Sequence, residues 1–540
     1  MDRNRWLILV LAGVVMTLGL ASHSTAGFYN VGGQEIMVDG FIRQEFSFNT
    51  NNDSPTNQGG LQSAYSMFYT DISAEFSRSL EVRGIFRLWG DWIYTIHDGD
   101  DHFNKFFEGA KDEHEFFSKF EDIVREVYIT YNSSKFQIRV GRQQIGWGES
   151  DGLRLMDVVN PLDMRRSPFY DTQGYSEMRI PKWLVKAEYY PQPVGNVTDI
   201  ALQFLWNPGD IQERKQLQLP AFVDSHKFGN PVDPPTGLPN SGGVWTVPTP
   251  AGRGVPFAFN YEYPDQDLSN SEFGARMAFS YNQAFMTLNF WHGRAPEHLF
   301  KFKEINYHPD GAMTPLAPVP LAVYADLVYP RVTYAGFTFN REMRPLGRLF
   351  KTTTNPVIRF ESLYSFDQEM NSTELLPGPV PQAPPSNINK IVTKDQFRYM
   401  IGFDWPLRWK WINSRKNVFT SGQFFHIHTL DYPSGVDVTG TKISIAPDAS
   451  PYPTWTIPED HFYASLLLRT EYMNERLVPS ILYVHDFHTD AYWSIVEVGY
   501  KIGNHWRPML RWLNAHGPFQ QSFGLYRDRD EIAVRIEYQF

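Results

Sequence analysis

Along much of this chain apolar and polar side chains alternate with a period of two, in segments of about ten residues separated by turn-rich text. Successive side chains of an extended strand point to opposite faces, so each segment carries one apolar and one polar face. Val82, Phe86, Leu88 and Trp92 share a parity that opposes Arg83, Arg87 and Asp91. Phe273, Ala275, Met277 and Phe279 oppose Arg276 and Ser280, and Phe397, Tyr399, Ile401, Phe403 and Trp405 oppose Arg398 and Asp404. Leu466, Leu468 and Tyr472 stand against Arg469 and Glu471, and Trp506, Leu510 and Trp512 against Arg507 and Arg511. The final segment, Ile532 to Phe540, alternates without a fault, places Arg535 and Glu537 on its polar face and stops on an aromatic residue.

Such faces suit a wall with lipid on one side and water on the other. The expected fold class is all-β, a transmembrane antiparallel barrel of about 18 strands. Candidate strands begin near residues 36, 66, 81, 124, 135, 181, 198, 271, 284, 330, 355, 394, 418, 461, 478, 491, 505 and 530. With the N-terminus in the periplasm, short turns such as Ser77 to Leu80, Asn132 to Ser134 and Gly503-Asn504 alternate with long outer loops such as 208–270, 295–329 and 431–460. The short outer connection at His488-Thr489-Asp490 and the longer inner stretches 342–353 and 406–416 interrupt the rhythm, so sixteen strands is the other count the sequence permits. Proline- and glycine-rich text at 228–257 and 375–386 reads as outer loops. Phe103, Phe106, Phe107, Phe116, Phe117, Phe120 and Ile123 suggest an amphipathic helix packed as a lid.

Composition supports this reading. Aromatic residues make up 16% of the chain while mean hydropathy is −0.38, so large apolar side chains are scattered singly among polar ones. Residues 1–26 open with Arg3 and Arg5, continue through an apolar run from Trp6 to Leu20 and end at Ser24-Thr25-Ala26, the pattern of a secretory signal peptide. The barrel then takes up 27–540. There is no cysteine, which excludes disulfides, iron–sulfur clusters, thiolate zinc sites and thioether haem. The formal net charge is −11, and losing Asp2, Arg3 and Arg5 makes it one unit more negative; an acidic total argues against nucleic acid as a partner.

The most distinctive text follows the fifth strand: Gly141-Arg142-Gln143-Gln144-Ile145-Gly146-Trp147-Gly148-Glu149-Ser150, then Asp157, Asn160-Pro161-Leu162-Asp163, Arg165-Arg166 and Glu177-Met178-Arg179-Ile180-Pro181. This arrangement resembles the outer-membrane family known as domain of unknown function 1302, and is more distantly similar to alginate-export-type outer-membrane porins. The resemblance implies an outer-membrane barrel and neighbours such as resistance-nodulation-division exporters or lipoprotein-sorting-like periplasmic proteins. It therefore implies a role in moving lipids or other hydrophobic compounds, with a periplasmic or inner-membrane export partner. Separately, the terminal segment Ile532 to Phe540 resembles the strand signal by which the outer-membrane barrel-assembly machinery recognises its clients, so that machinery is an expected partner through Phe540.

Physically, a charged outer segment at 143–181 on so wide a barrel has room to fold inward and narrow the lumen. Arg142, Glu149, Asp157, Asp163 and Arg165 then either set a constriction or pin the segment to the wall. Lumen parity over the clean strands, together with those beginning near 135 and 491, makes Arg83, Arg87, Lys135, Arg139, Arg276, Arg398, Arg469, Lys501, Arg507, Arg511 and Arg535 the inward basic residues. They outnumber the inward acids Asp91, Asp404, Glu471, Glu497 and Glu537. The expectation is a channel for small amphiphilic, hydrophobic or anionic molecules, surrounded by outer-membrane lipids and lipopolysaccharide. The alternative is a scaffold barrel that docks a periplasmic electron carrier or lipid shuttle. A rim enzyme ranks third: His426 and His428 share a face and His485-Asp486-Phe487-His488 clusters acid and imidazole, yet neither accompanies a nucleophile motif, and two histidines fall short of the three protein ligands of catalytic zinc. No catalytic residue, metal or cofactor is assigned.

Overall fold

The computed structural model describes residues 27–31, 33–50, 60–96, 116, 120–163, 175–209, 244–248, 254–262, 264–295, 299–307, 320–375, 389–432, 436–437, 456–517, 523 and 530–540. The candidate signal peptide, most of the candidate lid helix, Arg165 and most of the proline-rich loop text lie outside these residues.

Eighteen antiparallel strands close into one barrel. In chain order they are β1 (Gln34–Asn49), β2 (Gly60–Ser77), β3 (Leu80–Asp91), β4 (Val124–Asn132), β5 (Phe136–Gln143), β6 (Lys182–Tyr189), β7 (Val197–Asn207), β8 (Glu272–Tyr281) and β9 (Ala284–Arg294). The second half comprises β10 (Arg331–Glu342), β11 (Val357–Leu375), β12 (Asn389–Leu407), β13 (Val418–Thr429), β14 (Asp460–Arg469), β15 (Leu477–Asp486), β16 (Ala491–Tyr500), β17 (Trp506–His516) and β18 (Glu531–Gln539). Every strand pairs with its neighbours in sequence, and β18 returns to β1 over Phe41↔Gln539 to Asn49↔Glu531. Phe540 completes the seam: its N–H donates to the Gly40 carbonyl (3.0 Å), Gly40 N–H donates back (3.1 Å), and its ring stacks on Phe68. Closure removes the unpaired strand edges that lipid would not tolerate.

The count is therefore eighteen rather than sixteen. Inner connections 343–356 and 408–417 are long but still join adjacent strands; the first holds a short helix, Arg344–Leu349. At the two-residue inner turn between β8 and β9, Asn282 and Gln283 take φ of 48° and 67°, the left-handed pair that such a hairpin needs to match strand twist. Lys135, read above as a wall residue, lies in the exposed turn before β5, and Lys501 lies just past the end of β16. Outward positions expose Ile129, Val140, Leu288, Phe290, Ile401, Leu510 and Val534. A closed barrel with this apolar exterior is a multi-pass protein of the outer membrane.

The loop end is richer than the alternation suggests. β11 and β12 run to 19 residues each, beyond the roughly 9–11 that a tilted strand needs to cross a bilayer. Segments from two outer connections, Val244–Pro248 and Gly254–Glu262 from one and Leu299–Tyr307 and Pro320–Val328 from the next, form a separate four-stranded sheet. Gly254–Glu262 pairs there in parallel with Pro320–Val328.

Candidate functional site

After β5 the chain turns inward and crosses the lumen. Ile145 N–H donates to Asn160 Oδ1 (2.7 Å), and Asn160 Nδ2 donates to the Ile180 carbonyl (2.8 Å), so one asparagine ties the outgoing and returning arms at their base. Trp147 Nε1 donates to Gln203 Oε1 on β7 (2.7 Å) and its ring meets Trp291 of β9 edge-on at 6.2 Å. The Glu149 and Met156 amides donate to the Glu361 carboxylate on β11. Asp151 N–H donates to Gln423 Oε1 on β13 (2.8 Å), and the Asp151 carbonyl accepts from Ser465 Oγ on β14 (3.3 Å). Gly152, with φ of +78°, lies against Leu482 and Val484 of β15. Since β5 and β15 stand on opposite sides of an eighteen-stranded barrel, residues 145–152 span its width.

An apolar patch on the inner wall receives this segment. Ile145, Trp147, Leu155, Met156, Val158 and Val159 pack with Leu184, Leu205, Trp291, Val332, Tyr334, Leu363, Met400 and Phe425, all buried and all but the first six on the wall. Two wall glycines make room: a Cβ at Gly274 would sit 2.9 Å from the Trp147 ring, and one at Gly336 would occupy the place of the Met156 sulfur. Burying a side chain of this size contributes about 1.5–3 kcal/mol, so the segment is held mainly by its hydrophobic face.

Ion pairs fix its position. Arg359 Nη2 lies 2.6 Å from Asp151 Oδ2, 2.6 Å from Asp404 Oδ1 and 2.8 Å from Ser421 Oγ, and Arg359 also donates to the Glu149 carbonyl. Within the segment, Asp157 accepts from Arg179 Nε at 2.7 Å, with Arg154 nearby, joining the two arms. On the returning arm Glu177 receives both terminal nitrogens of Arg43 at 2.8 and 2.9 Å. Desolvation alone would push the Glu177 carboxyl up; Arg43, assisted by Arg535 and Arg125, overcomes this and holds it down at about 2.

The residues singled out from sequence fall into two groups. Some are tied up. Arg83 pairs with Asp71, Arg535 with Glu45 at 2.8 Å, and Arg511 with Glu45 and Glu531 at 3.1 and 3.0 Å. Arg142 is buried at the end of β5, Asp157 is bound as above, Glu149 accepts from Asn340, and Asp163 sits where its N–H meets the Met178 carbonyl. Arg87, Arg139, Arg276, Arg398, Arg469 and Arg507 have no carboxylate partner among the described residues. Arg139 donates to Thr130 Oγ1 (3.1 Å) and lies over the Tyr128 ring, Arg398 donates to Gln396, and Arg507 donates to the carbonyls of Asn504 and Trp506. Arg469 and Arg507 line a cavity of about 1000 Å³ at the turn end of the lumen, together with Lys416, Lys501, Arg535, Glu471, Glu497 and Glu537.

Sequence reasoning missed Arg359, Glu361, Gln423 and the apolar wall. It also missed wall acids Glu45, Asp71, Glu188 and Glu272, the last bonded to Lys182 at 2.6 Å. Of the candidate rim residues, Asp486 is buried and pairs at 2.8 Å with His461, a residue the sequence did not single out, and His485 stands 3.7 Å from Asp490.

The family described as Protein of unknown function (DUF1302) matches residues 6–540. The chain belongs to that family. No curated protein matches it. Among solved structures, this DUF1302 chain is similar to a BenF-like porin from Pseudomonas fluorescens Pf-5, with 9% identity, 94% of this chain and 98% of that one covered, and a TM-score of 0.45. The outer membrane protein opdK from Pseudomonas aeruginosa gives 10% identity over 94% and 98% of the two chains, with a TM-score of 0.44. Salmonella typhi OmpF, solved in complex with daunomycin, gives 8% identity over 95% and 100%, with a TM-score of 0.38.

Proposed function

We propose that this DUF1302 barrel is an outer-membrane channel for small anionic or amphiphilic molecules, narrowed by residues 144–163. The observation that carries this reading is the division of inner-wall charge. The lumenal carboxylates are largely engaged by wall and segment cations, while Arg87, Arg139, Arg276, Arg398, Arg469 and Arg507 have no carboxylate partner among the described residues. A narrow passage bounded by low-dielectric walls amplifies the field of such residues and concentrates counter-ions. The partly buried side chains of Leu153 on the segment and Tyr463 on the adjoining wall give an amphiphile a surface to slide along. In this reading the solute is handed over at the turn-end cavity by a periplasmic or inner-membrane export partner, and Phe540 is the residue offered to the assembly machinery before the seam closes.

Reversal potential of the purified protein in a planar bilayer under a potassium chloride gradient tests the proposal. Anion preference that strengthens as salt is lowered supports it, because screening weakens with falling ionic strength. Cation preference contradicts it. A barrel that conducts nothing supports a scaffold that docks a periplasmic partner.

A further inference from the structure

One side-chain cluster lies on the outer face of the barrel, away from the lumen. β13 and β14 pair with His428 opposite Asp460 and His426 opposite Phe462. Strand alternation puts His426 and His428 on one face, and the register brings Asp460 to that same face. It is the outward face, shared with exposed Phe424, Ile401 and Leu466, and it lies at the loop end, since β13 stops at Thr429. His426 Nε2 and His428 Nδ1 approach Asp460 Oδ1 to 2.7 and 2.8 Å, and one ligand atom from each residue lies within 4.8 Å of the others.

We propose that His426, His428 and Asp460 bind a divalent transition-metal cation of the Cu²⁺, Ni²⁺ or Zn²⁺ type. Two imidazole nitrogens and one carboxylate select such ions over Mg²⁺ and Ca²⁺, which require mostly oxygen ligands. A tetrahedral ion about 2.0–2.2 Å from each donor separates the donors by about 3.3 Å, so each histidine nitrogen needs to move away from the Asp460 oxygen by only about half an ångström. The sheet preorganises the site. The His426 ring is stacked on Phe462 (centroids 4.5 Å apart, 14° between planes) and met edge-on by Tyr399 at 5.2 Å, which fixes its orientation toward Asp460. His428 and Asp460 are 35% and 46% exposed, leaving an entry path and open positions for water. The pair of histidines visible in sequence thus acquires its third protein ligand from a strand more than thirty residues away.

The test uses the full-length protein without an affinity tag, in detergent, titrated with Cu²⁺ and Zn²⁺ by calorimetry, with electron paramagnetic resonance of the Cu²⁺ form. The expected result is one bound equivalent with hyperfine splitting from two nitrogens. His428→Ala should lose one nitrogen and weaken binding at least about tenfold, since even an outer-shell change at a metal site costs that much, and His426→Ala/His428→Ala should abolish the site. Heat-modified gel migration confirms that each variant retains its barrel. A wild type that binds metal no better than the double variant overturns the proposal and leaves a hydrogen-bonded trio only.

Discussion

The inner wall has two contrasting regions. From β6 to β13, at mid-lumen, it presents an apolar patch that serves as a seat: Leu205, Trp291, Leu363, Met400 and Phe425 receive the crossing segment and Arg359 clasps Asp151. At the turn end of β12 to β18 it is open and charged: Arg469 and Arg507 face a cavity also lined by Glu471, Glu497 and Glu537, and neither is ion-paired to a carboxylate among the described residues. In the proposed channel the first region sets size and the second sets charge preference. Conductance and selectivity should then respond to different residues.

The largest effect is expected from replacing residues 145–178 with a short glycine-serine turn. Single-channel conductance should rise several-fold, since a barrel of this strand number leaves a wide aqueous lumen once loops no longer narrow it. An unchanged conductance would separate the segment from the path. Next, Arg359→Met removes the clasp while keeping bulk. Hydrogen bonds to charged groups contribute about 1.5–3 kcal/mol each, so the segment should detach intermittently, read as larger current fluctuations with little change in ion preference. Arg469→Gln with Arg507→Gln should do the reverse, shifting the reversal potential toward neutrality at low salt by roughly half of the wild-type anion preference, with conductance nearly unchanged. The smallest effect concerns pH. Because Glu177 is held down at about 2 by Arg43, its clasp is fully present above the ordinary carboxylate range and is lost only as pH falls through about 2. Between about pH 7 and pH 4 this clasp should stay closed, so removing it with Arg43→Met should change current noise by the same amount at both pH values.

Much of the barrel is legible in the sequence because lipid enforces alternation. β8 and β18 carry an unbroken apolar parity, β12 carries one from Phe397 to Trp405 and β17 one from Trp506 to Trp512, and the exposed face repeats it. Where the inner wall is also apolar, the signal blurs. Phe424 faces out and Phe425 faces in beneath the crossing segment, and Leu467 lines the turn-end cavity between outward Leu466 and Leu468. In β1 the run from Ile42 to Ser47 is buried on both faces, so Arg43 and Glu45 do not stand out against an apolar partner parity. The text from Gly141 to Pro181 announces an inward segment through its density of charge and glycine. What it cannot announce is the seat: Arg359 lies 208 positions from Asp151 and Gln423 lies 272 from it. The four-stranded loop sheet was hidden for a related reason, since its strands come from two connections whose proline and glycine content reads as irregular.

The absence of native cysteine makes one measurement more direct than any other. Leu153→Cys places a single thiol on the crossing segment, on a side chain that is only partly buried beside the wall. Current is then recorded in a bilayer while a small negatively charged thiol reagent is added. If residues 144–163 line the conducting path, current should fall within seconds of reagent addition and anion preference should weaken, and wild type should be indifferent. A current that is unaffected after modification has been verified by mass would contradict the claim that this segment is the constriction.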